Sequence, residues 1–157
     1  MSDTTPIPLT REEFARVVRS TPLVSIDLVV RDQARRMLLG LRENRPAQGY
    51  WFTPGGRIGK GERIEQAFRR ISRVELGRAL SLADARFIGV FEHLYDDNFA
   101  GAPGFGTHYV VLAYAVDGAA ADFDLPLDQH SRYEWMAESD VLSRTDVHPY
   151  VRNYCGR

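Results

Sequence analysis

The sequence of 157 residues lacks the features that mark several classes of protein. It has one cysteine, Cys155, so it cannot form an internal disulfide, and no nucleophile motif surrounds this residue. The longest apolar run, Tyr109 to Val116, is far shorter than a membrane span, and the first dozen residues lack the apolar core of a signal peptide. The net charge of −1 offers no attraction to nucleic acid or to anionic membranes. We therefore expect a cytoplasmic protein with neither as a partner.

Length and periodicity fit one α/β domain over residues 1–157, because a chain of this size can close a single core without disulfides. Thr10 and Glu13 predict a capping box for a helix that continues through Val18. Strands in mixed order with helices on both sides imply an α/β/α sandwich. The predicted strands are 23–30, 37–41, 86–94, 108–116 and 133–136, and the second helix is 62–76, with one or two helical turns in the tail.

The second helix carries a glutamate within its apolar stripe. At about 100° per residue, Glu75 falls on the buried face, where an ionised carboxylate needs a partner. That partner is either a divalent cation, which carboxylate oxygens bind well, or a salt bridge to Arg70 or Arg78. The stripe consists of Ile64, Ala67, Phe68, Ile71 and Val74, and the opposite, solvated face holds Glu62, Gln66, Arg69 and Arg73.

Three further features have both a structural and a functional interpretation. Asp27 is a polar residue in an apolar strand, which fits a satisfied buried aspartate as well as a site carboxylate. The aromatic run 50–52 fits stacking on a base, although a role in the core is favoured. His130, taken alone, favours a structural or incidental histidine, and only its neighbours in the sequence add weight to a functional role.

The segment GGRIGKGERIEQAFRRISRVELG, residues 55–77, resembles a Nudix box. Two glutamates of the full box are replaced by Ile71 and Val74, as in the altered box of the GDP-mannose mannosyl hydrolases. The runs EEFARVVRSTPLVSIDLVV, NRPAQGYWFTPGGRI, YDDNF, THYVVL and QHSRYEW extend this resemblance over 12–135. The box positions that are kept are Gly56, Glu62, Arg70, Glu75 and Gly77.

The resemblance implies the Nudix fold and a set of site residues. Magnesium, with manganese as an alternative, would be held by the Gly55 carbonyl, Glu75 and Gln129 together with substrate diphosphate oxygens, with one ion per site. His130 corresponds to the general base, and Arg70 would orient Glu75. The substrate would meet the remaining residues: Arg42 and Arg57 at the diphosphate, Tyr109 at the departing phosphate, and Asp27 and His93 near the sugar.

The activity implied is hydrolysis of GDP-α-D-mannose, or GDP-glucose, to GDP and a β-sugar. Water would attack C1 of the sugar with inversion. A homodimer is implied in the same way. Two other functions stay open: an ordinary Nudix pyrophosphohydrolase that cleaves a nucleotide sugar at phosphorus, and a catalytically silent binding module. The missing glutamates argue against the first, and retention of Glu75, Gln129 and His130 argues against the second.

Overall fold

The computed structural model of the protein describes residues 6–128 and 130–157. No helix within these ranges is long and apolar enough to cross a membrane. The helices are Arg11–Ser20 (α1), Ile64–Leu76 (α2), Glu138–Ser143 (α3) and Pro149–Arg152 (α4). The strands are Leu23–Arg31 (β1), Met37–Arg42 (β2), Trp51–Phe52 (β3), Gly55–Arg57 (β4), Arg86–Tyr95 (β5), Thr107–Asp117 (β6) and His130–Met136 (β7). The first four predicted strands are confirmed with shifts of one residue at most, and β3 and β4 were not predicted. The last strand is confirmed but begins at His130, three residues before its predicted start, so His130 lies in a strand and not in a loop.

The strands form one mixed sheet around β1. This strand pairs in parallel with β6 and antiparallel with β4. β6 pairs antiparallel with β5, and β2 pairs antiparallel with β3 and β7. Parallel and antiparallel neighbours on one strand fit the mixed sheet that was predicted.

Helices cover both faces of the sheet. Successive side chains of β1 point to opposite sides, so this strand contributes to the core on each face. Ile26, Leu28 and Val30 pack in the cluster that contains the buried face of α2. Val29 packs in the opposite cluster, which contains residues of α3 and α4. The α/β/α sandwich is therefore confirmed, and Asp27 lies on the same face of β1 as Val29.

The first helix has the predicted capping box. The Glu13 amide donates to Thr10 Oγ1 over 3.2 Å, and the Thr10 amide donates to Glu13 Oε2 over 2.8 Å. These bonds satisfy two amides that have no partner within the helix. The helix continues to Ser20, two residues beyond the predicted end.

The second helix differs from its prediction in start and in face. It begins at Ile64, not at position 62, and it ends at Leu76 as predicted. Gly77 follows as its cap, with a left-handed φ of 70° that suits glycine. Ala67, Phe68 and Ile71 are buried as predicted. Ile64 and Val74 were expected in the core but are 42% and 49% exposed. The buried stripe is therefore narrower than predicted.

The aromatic run before β4 belongs mainly to the core. Trp51 and Phe52 are buried in the cluster that contains α4, whereas Tyr50 is half-exposed. The Trp51 indole donates to Asp146 Oδ2 over 3.1 Å, which satisfies its buried N–H. The core interpretation of Trp51 and Phe52 is confirmed.

Candidate active site

A cavity of about 560 Å³ opens where the end of α2 meets the sheet. Gln129 lies outside the described residues, and His130 is not among the described residues that line the cavity. The structure brings the other predicted site residues together at its wall. They are Asp27, Arg42, Gly55, Arg57, Arg70, Glu75, His93 and Tyr109.

Glu75 is a buried carboxylate in the last turn of α2, with 5% of its surface exposed. Burial raises its pKa to about 7, against the opposing influences of Arg42 and of the Gly55 amide, which donates to it. The proposed salt bridge to Arg70 or Arg78 is wrong. Arg70 pairs with Glu62 at 2.6 Å, and Arg78 lies 3.9 Å from Asp122.

The amide of Gly55 donates to Glu75, and the pairing of β4 with β1 explains why it can do so. The Leu28 amide donates to the Pro54 carbonyl, and the Ile58 amide donates to the Val24 carbonyl. Because bonded and non-bonded pairs alternate in an antiparallel ladder, the pair Asp27 and Gly55 is non-bonded. The amide and carbonyl of Gly55 therefore point away from β1.

These groups fit a divalent cation that is held by few protein ligands. A buried carboxylate with a raised pKa and a backbone carbonyl directed off the ladder are oxygen donors of the kind that Mg²⁺ accepts. The residues at 6–128 and 130–157 contain no cluster of three His, Cys, Asp or Glu that would hold a metal ion. Further ligands would have to come from the substrate or from Gln129.

Arg70 stabilises the loop before α2. Its guanidinium donates to both carboxylate oxygens of Glu62, over 2.6 and 2.9 Å, and to the Arg57 carbonyl over 2.8 Å. Glu62 also accepts from the Gly59 amide over 2.8 Å. Its side chain is only 2% exposed, so its placement on a solvated face was wrong. Arg70 was expected to orient Glu75, but the carboxylate that it binds is that of Glu62.

Two apolar side chains of α2 lie at the cavity beside Glu75. Ile71 and Val74 both line it. These are the positions at which the sequence departs from the full box. The cavity wall next to Glu75 is therefore apolar where further carboxylates would otherwise stand.

Two arginines supply positive charge at the cavity. The Arg42 Nε donates to the Pro46 carbonyl over 3.0 Å, and its charge opposes the rise that burial causes in the pKa values of Asp27 and Glu75. The Arg57 guanidinium carbon lies 4.1 Å from the ring centroid of Phe14 in α1. Both guanidinium groups are therefore held in place, which favours binding of phosphate oxygens.

Asp27 is a buried carboxylate that also lines the cavity. Its Oδ2 accepts hydrogen bonds from Tyr154 over 2.6 Å and from Thr53 over 3.2 Å. Burial raises its pKa to about 6, and the two hydroxyl groups and Arg42 oppose that rise. The interpretation as a buried aspartate with hydrogen-bond partners is confirmed for Oδ2, and the same carboxylate lies at the cavity.

The C-terminal segment supports the site in a way that the sequence did not predict. Tyr150 stacks on His93 with ring centroids 4.3 Å apart and planes 2° apart. Burial, with a smaller effect of His148, lowers the pKa of His93 to about 4. The signal available in the sequence was the pair of tyrosines at 150 and 154, one helical turn apart beside Pro149. Their hydrogen bonds reach Leu94 and Asp27, which are 56 and 127 positions away, so no local pattern reveals these contacts.

Two cavity groups are uncharged at neutral pH. His93 is neutral because of its lowered pKa, and its Nε2 is buried without a hydrogen-bond partner among the described residues. Burial raises the pKa of Tyr109 above its usual value, so its hydroxyl keeps its proton as a hydrogen-bond donor.

His130 lies next to the cavity but is enclosed. It is the register partner of Arg42, is 2% exposed, and has a buried Nε2 without a hydrogen-bond partner among the described residues. Its Nδ1 lies 3.4 Å from the Tyr133 hydroxyl. Burial and then the charge of Arg42 lower its pKa to about 4, so the ring is neutral at pH 7.

The sequence matches the NUDIX domain family over residues 21–154. The chain belongs to the Nudix family. This match covers every wall residue named above.

This Nudix chain is similar to a curated relative and to two solved structures. It is 37% identical over 152 residues to the low-salt glycan biosynthesis protein Agl8 of Haloferax volcanii, covering 94% of this chain and 90% of Agl8. The MutT NUDIX hydrolase of Burkholderia pseudomallei is 26% identical with a TM-score of 0.68, covering 85% of this chain and 95% of that one. The NUDIX domain of Shewanella oneidensis NrtR, solved with ADP ribose, has a TM-score of 0.61 at 18% identity, covering 92% and 96%.

Proposed function

We propose that this Nudix protein hydrolyses a GDP-hexose, GDP-α-D-mannose or GDP-glucose, to GDP and the free β-sugar. The reaction is an attack of water on C1 of the sugar with inversion, assisted by a divalent cation, Mg²⁺ or Mn²⁺. We assign this activity to the cytoplasm.

The observation that carries this proposal is the apolar wall beside Glu75. Ile71 and Val74 line the cavity, and the described residues provide no cluster of three metal-binding side chains. Attack at phosphorus is favoured by several carboxylates and metal ions around the phosphate. A single carboxylate suits a site that holds one cation. In such a site the diphosphate is the leaving group and water attacks carbon.

The protein groups for the diphosphate follow from the cavity wall. Arg42 and Arg57 would bind its oxygens, and Tyr109 would donate its hydroxyl to the departing phosphate. Glu75 and the Gly55 carbonyl, with Gln129, would hold the cation, which when bound neutralises charge on the leaving diphosphate. Stabilised in this way, GDP needs no general acid in order to leave.

The groups proposed for the sugar line the same cavity. Asp27 and His93 would contact its hydroxyl groups. His130 would act as the base that takes a proton from water, since its neutral form predominates at cytoplasmic pH. Its enclosed ring would have to reach the cavity when substrate is bound, because catalytic contacts often tighten only in the complex.

The name of the 37% identical relative supports an activated sugar as the substrate class. Agl8 is described as a glycan biosynthesis protein, and glycan assembly draws on sugars activated by a leaving group such as a nucleoside diphosphate. A silent binding module is disfavoured because a buried Glu75 beside Arg42 would then be left without a function.

One observation favours a second function, ordinary pyrophosphohydrolysis at phosphorus. The imidazole of His130 does not line the cavity, so the wall as described lacks the base on which attack at carbon depends. In that case a nucleotide sugar would give GMP and a sugar phosphate.

Product analysis in oxygen-18 water separates the two functions. The proposal predicts GDP and free sugar, with the label in the C1 hydroxyl group and the β-anomer seen first by proton NMR. GMP, or label on phosphorus, would contradict it. A panel of nucleotide sugars in the same assay would then define the base and the sugar.

We also propose a homodimer. The sheet edge at β5 exposes Phe87, Val90 and Leu94, which are apolar side chains that a second copy would cover. Sedimentation velocity checks this, and a monomer at micromolar concentration would contradict it.

A further inference from the structure

We infer that Tyr154, in the C-terminal segment, is a positioning residue that holds the Asp27 carboxylate in the orientation needed for the sugar. The inference rests on the proposed function, since it takes Asp27 as the group that meets the sugar hydroxyls. It deepens that proposal by making the last residues of the chain part of the active site.

The first argument is the geometry of the Asp27 carboxylate. Both of its hydroxyl donors, Tyr154 at 2.6 Å and Thr53 at 3.2 Å, bind the same oxygen, Oδ2. Oδ1 accepts no hydrogen bond from the described residues, and it lies 2.7 Å from where a Cβ of Gly55 would be. Since Asp27 and Gly55 both line the cavity, the oxygen left free is available to a ligand.

The second argument is that the position of the Tyr154 hydroxyl is fixed from several sides. Tyr154 is fully buried, and its ring packs edge-on against Phe91 with centroids 5.0 Å apart. Its carbonyl accepts from the buried Arg31 guanidinium over 2.6 Å. The Gly156 amide donates to Glu138 over 2.9 Å and holds the chain beyond it. A hydroxyl anchored in this way limits rotation of the carboxylate that it binds.

The third argument concerns the choice of side chain. A phenylalanine would fill the same space against Phe91 without a polar group to satisfy. The hydroxyl of Tyr154 has Asp27 as its one hydrogen-bond partner among the described residues. A hydrogen bond to a carboxylate is stronger than one between neutral groups. Removing the Tyr154 hydroxyl should therefore act mainly on the orientation of the Asp27 carboxylate.

The test compares two tyrosines of the same segment. Tyr154→Phe removes the donor to Asp27, whereas the control Tyr150→Phe removes a hydroxyl bonded only to the Leu94 backbone. For Tyr154→Phe we expect kcat/KM on GDP-mannose to fall roughly 10- to 100-fold, as for loss of a hydrogen bond to a charged group. Affinity for GDP, which lacks the hexose, should stay unchanged by calorimetry. The control should lower the melting temperature without changing the preference for the sugar nucleotide.

A double-mutant cycle shows whether Tyr154 acts through Asp27. In an Asp27→Ala background, adding Tyr154→Phe should cost little further activity. Additive losses, equal losses of GDP and sugar-nucleotide binding, or full activity in a folded Tyr154→Phe protein would each overturn the inference. Should Tyr154→Phe fail to fold, Thr53→Val removes the other donor to Oδ2 without touching the tail. It should then give a smaller loss of the same kind, and its full activity would overturn the inference.

The products of the wild-type protein distinguish this inference from the proposed function. GMP and sugar phosphate would overturn attack at carbon, yet the comparison of GDP with sugar nucleotide in Tyr154→Phe would still report on Asp27. GDP and free sugar from both proteins at equal rates would overturn the role of Tyr154 alone.

Discussion

Gly40 in β2 lies directly against the imidazole of His130 in β7. A Cβ atom at position 40 would be 2.5 Å from Cδ2 of that ring, closer than real Cβ contacts come. The absence of a side chain at Gly40 therefore allows His130 to occupy its buried position beside Arg42.

Gly40→Ala should displace the His130 ring. We expect a loss of about 1–3 kcal/mol in the free energy of unfolding, the usual cost of overpacking, together with loss of activity if His130 is the base. Urea denaturation and kcat measure the two effects. Gly89→Ala is the matched control, because a Cβ there meets only Phe91 at an ordinary 3.6 Å. Equal stability of both variants would mean that the ring moves at no cost.

The pH profile should show the low pKa of His130. Because burial and Arg42 lower that pKa to about 4, its neutral form predominates above pH 4, and the base-dependent rise in kcat/KM should be complete by pH 5. His130→Gln should remove this limb and reduce kcat by about 10² to 10⁴. A limb at pH 6–7 that survives the substitution belongs to Asp27 or Glu75. A change in KM alone would make His130 a binding residue.

The sequence predicted local structure and burial well where a periodic or local pattern carries the information. The apolar period of α2 placed Glu75 on the buried face, and the capping box of Thr10 fixed the start of α1. It failed where the partner is distant or the loop is irregular. Glu62 seemed solvated by its helical angle, but it precedes the helix, and the turn at Gly59 directs it to Arg70.

The C-terminal segment shows the same limit on a longer scale. Tyr154 reaches Asp27 across 127 positions, and only the β1 register and the packing of α4 bring them together. No spacing rule in the sequence encodes such a contact. The tyrosines at 150 and 154 were the one clue, and burial of the tail was not predictable from its composition.

The ion pair of Arg70 with Glu62 should matter for stability. Arg70→Met leaves a nearly buried carboxylate unpaired, so we expect a loss of about 1–3 kcal/mol in the free energy of unfolding. Glu62→Gln should have a similar effect, and the double variant should lose less than the sum. Arg69→Met, at an exposed position of the same helix, is the control. Additive losses would indicate that Arg70 acts on another group, with Glu75 the first to test.

Glu75 should destabilise the metal-free protein at neutral pH. Its pKa is raised from 4.5 to about 7, so the folded state keeps a proton that the unfolded state releases between these values. Stability therefore falls as the pH rises from 4.5 to 7, and the loss is complete above pH 7. Glu75→Gln carries no charge, so in EDTA at pH 8 it should be more stable than wild type by on the order of 1–3 kcal/mol. The raised pKa of Asp27, about 6, should leave a weaker pH dependence in the variant.

The same variant should lose its response to ligand. If a cation binds Glu75, Mg²⁺ with GDP should raise the melting temperature of wild type well above that of Glu75→Gln, because only a folded state that binds ligand is stabilised. Glu65→Gln, at an exposed position of α2, is the matched control and should behave as wild type. A Glu75→Gln protein that is less stable in EDTA at pH 8 would mean that the carboxylate has an undetected positive partner. Equal stabilisation of both proteins by Mg²⁺ and GDP would remove Glu75 from the cation site.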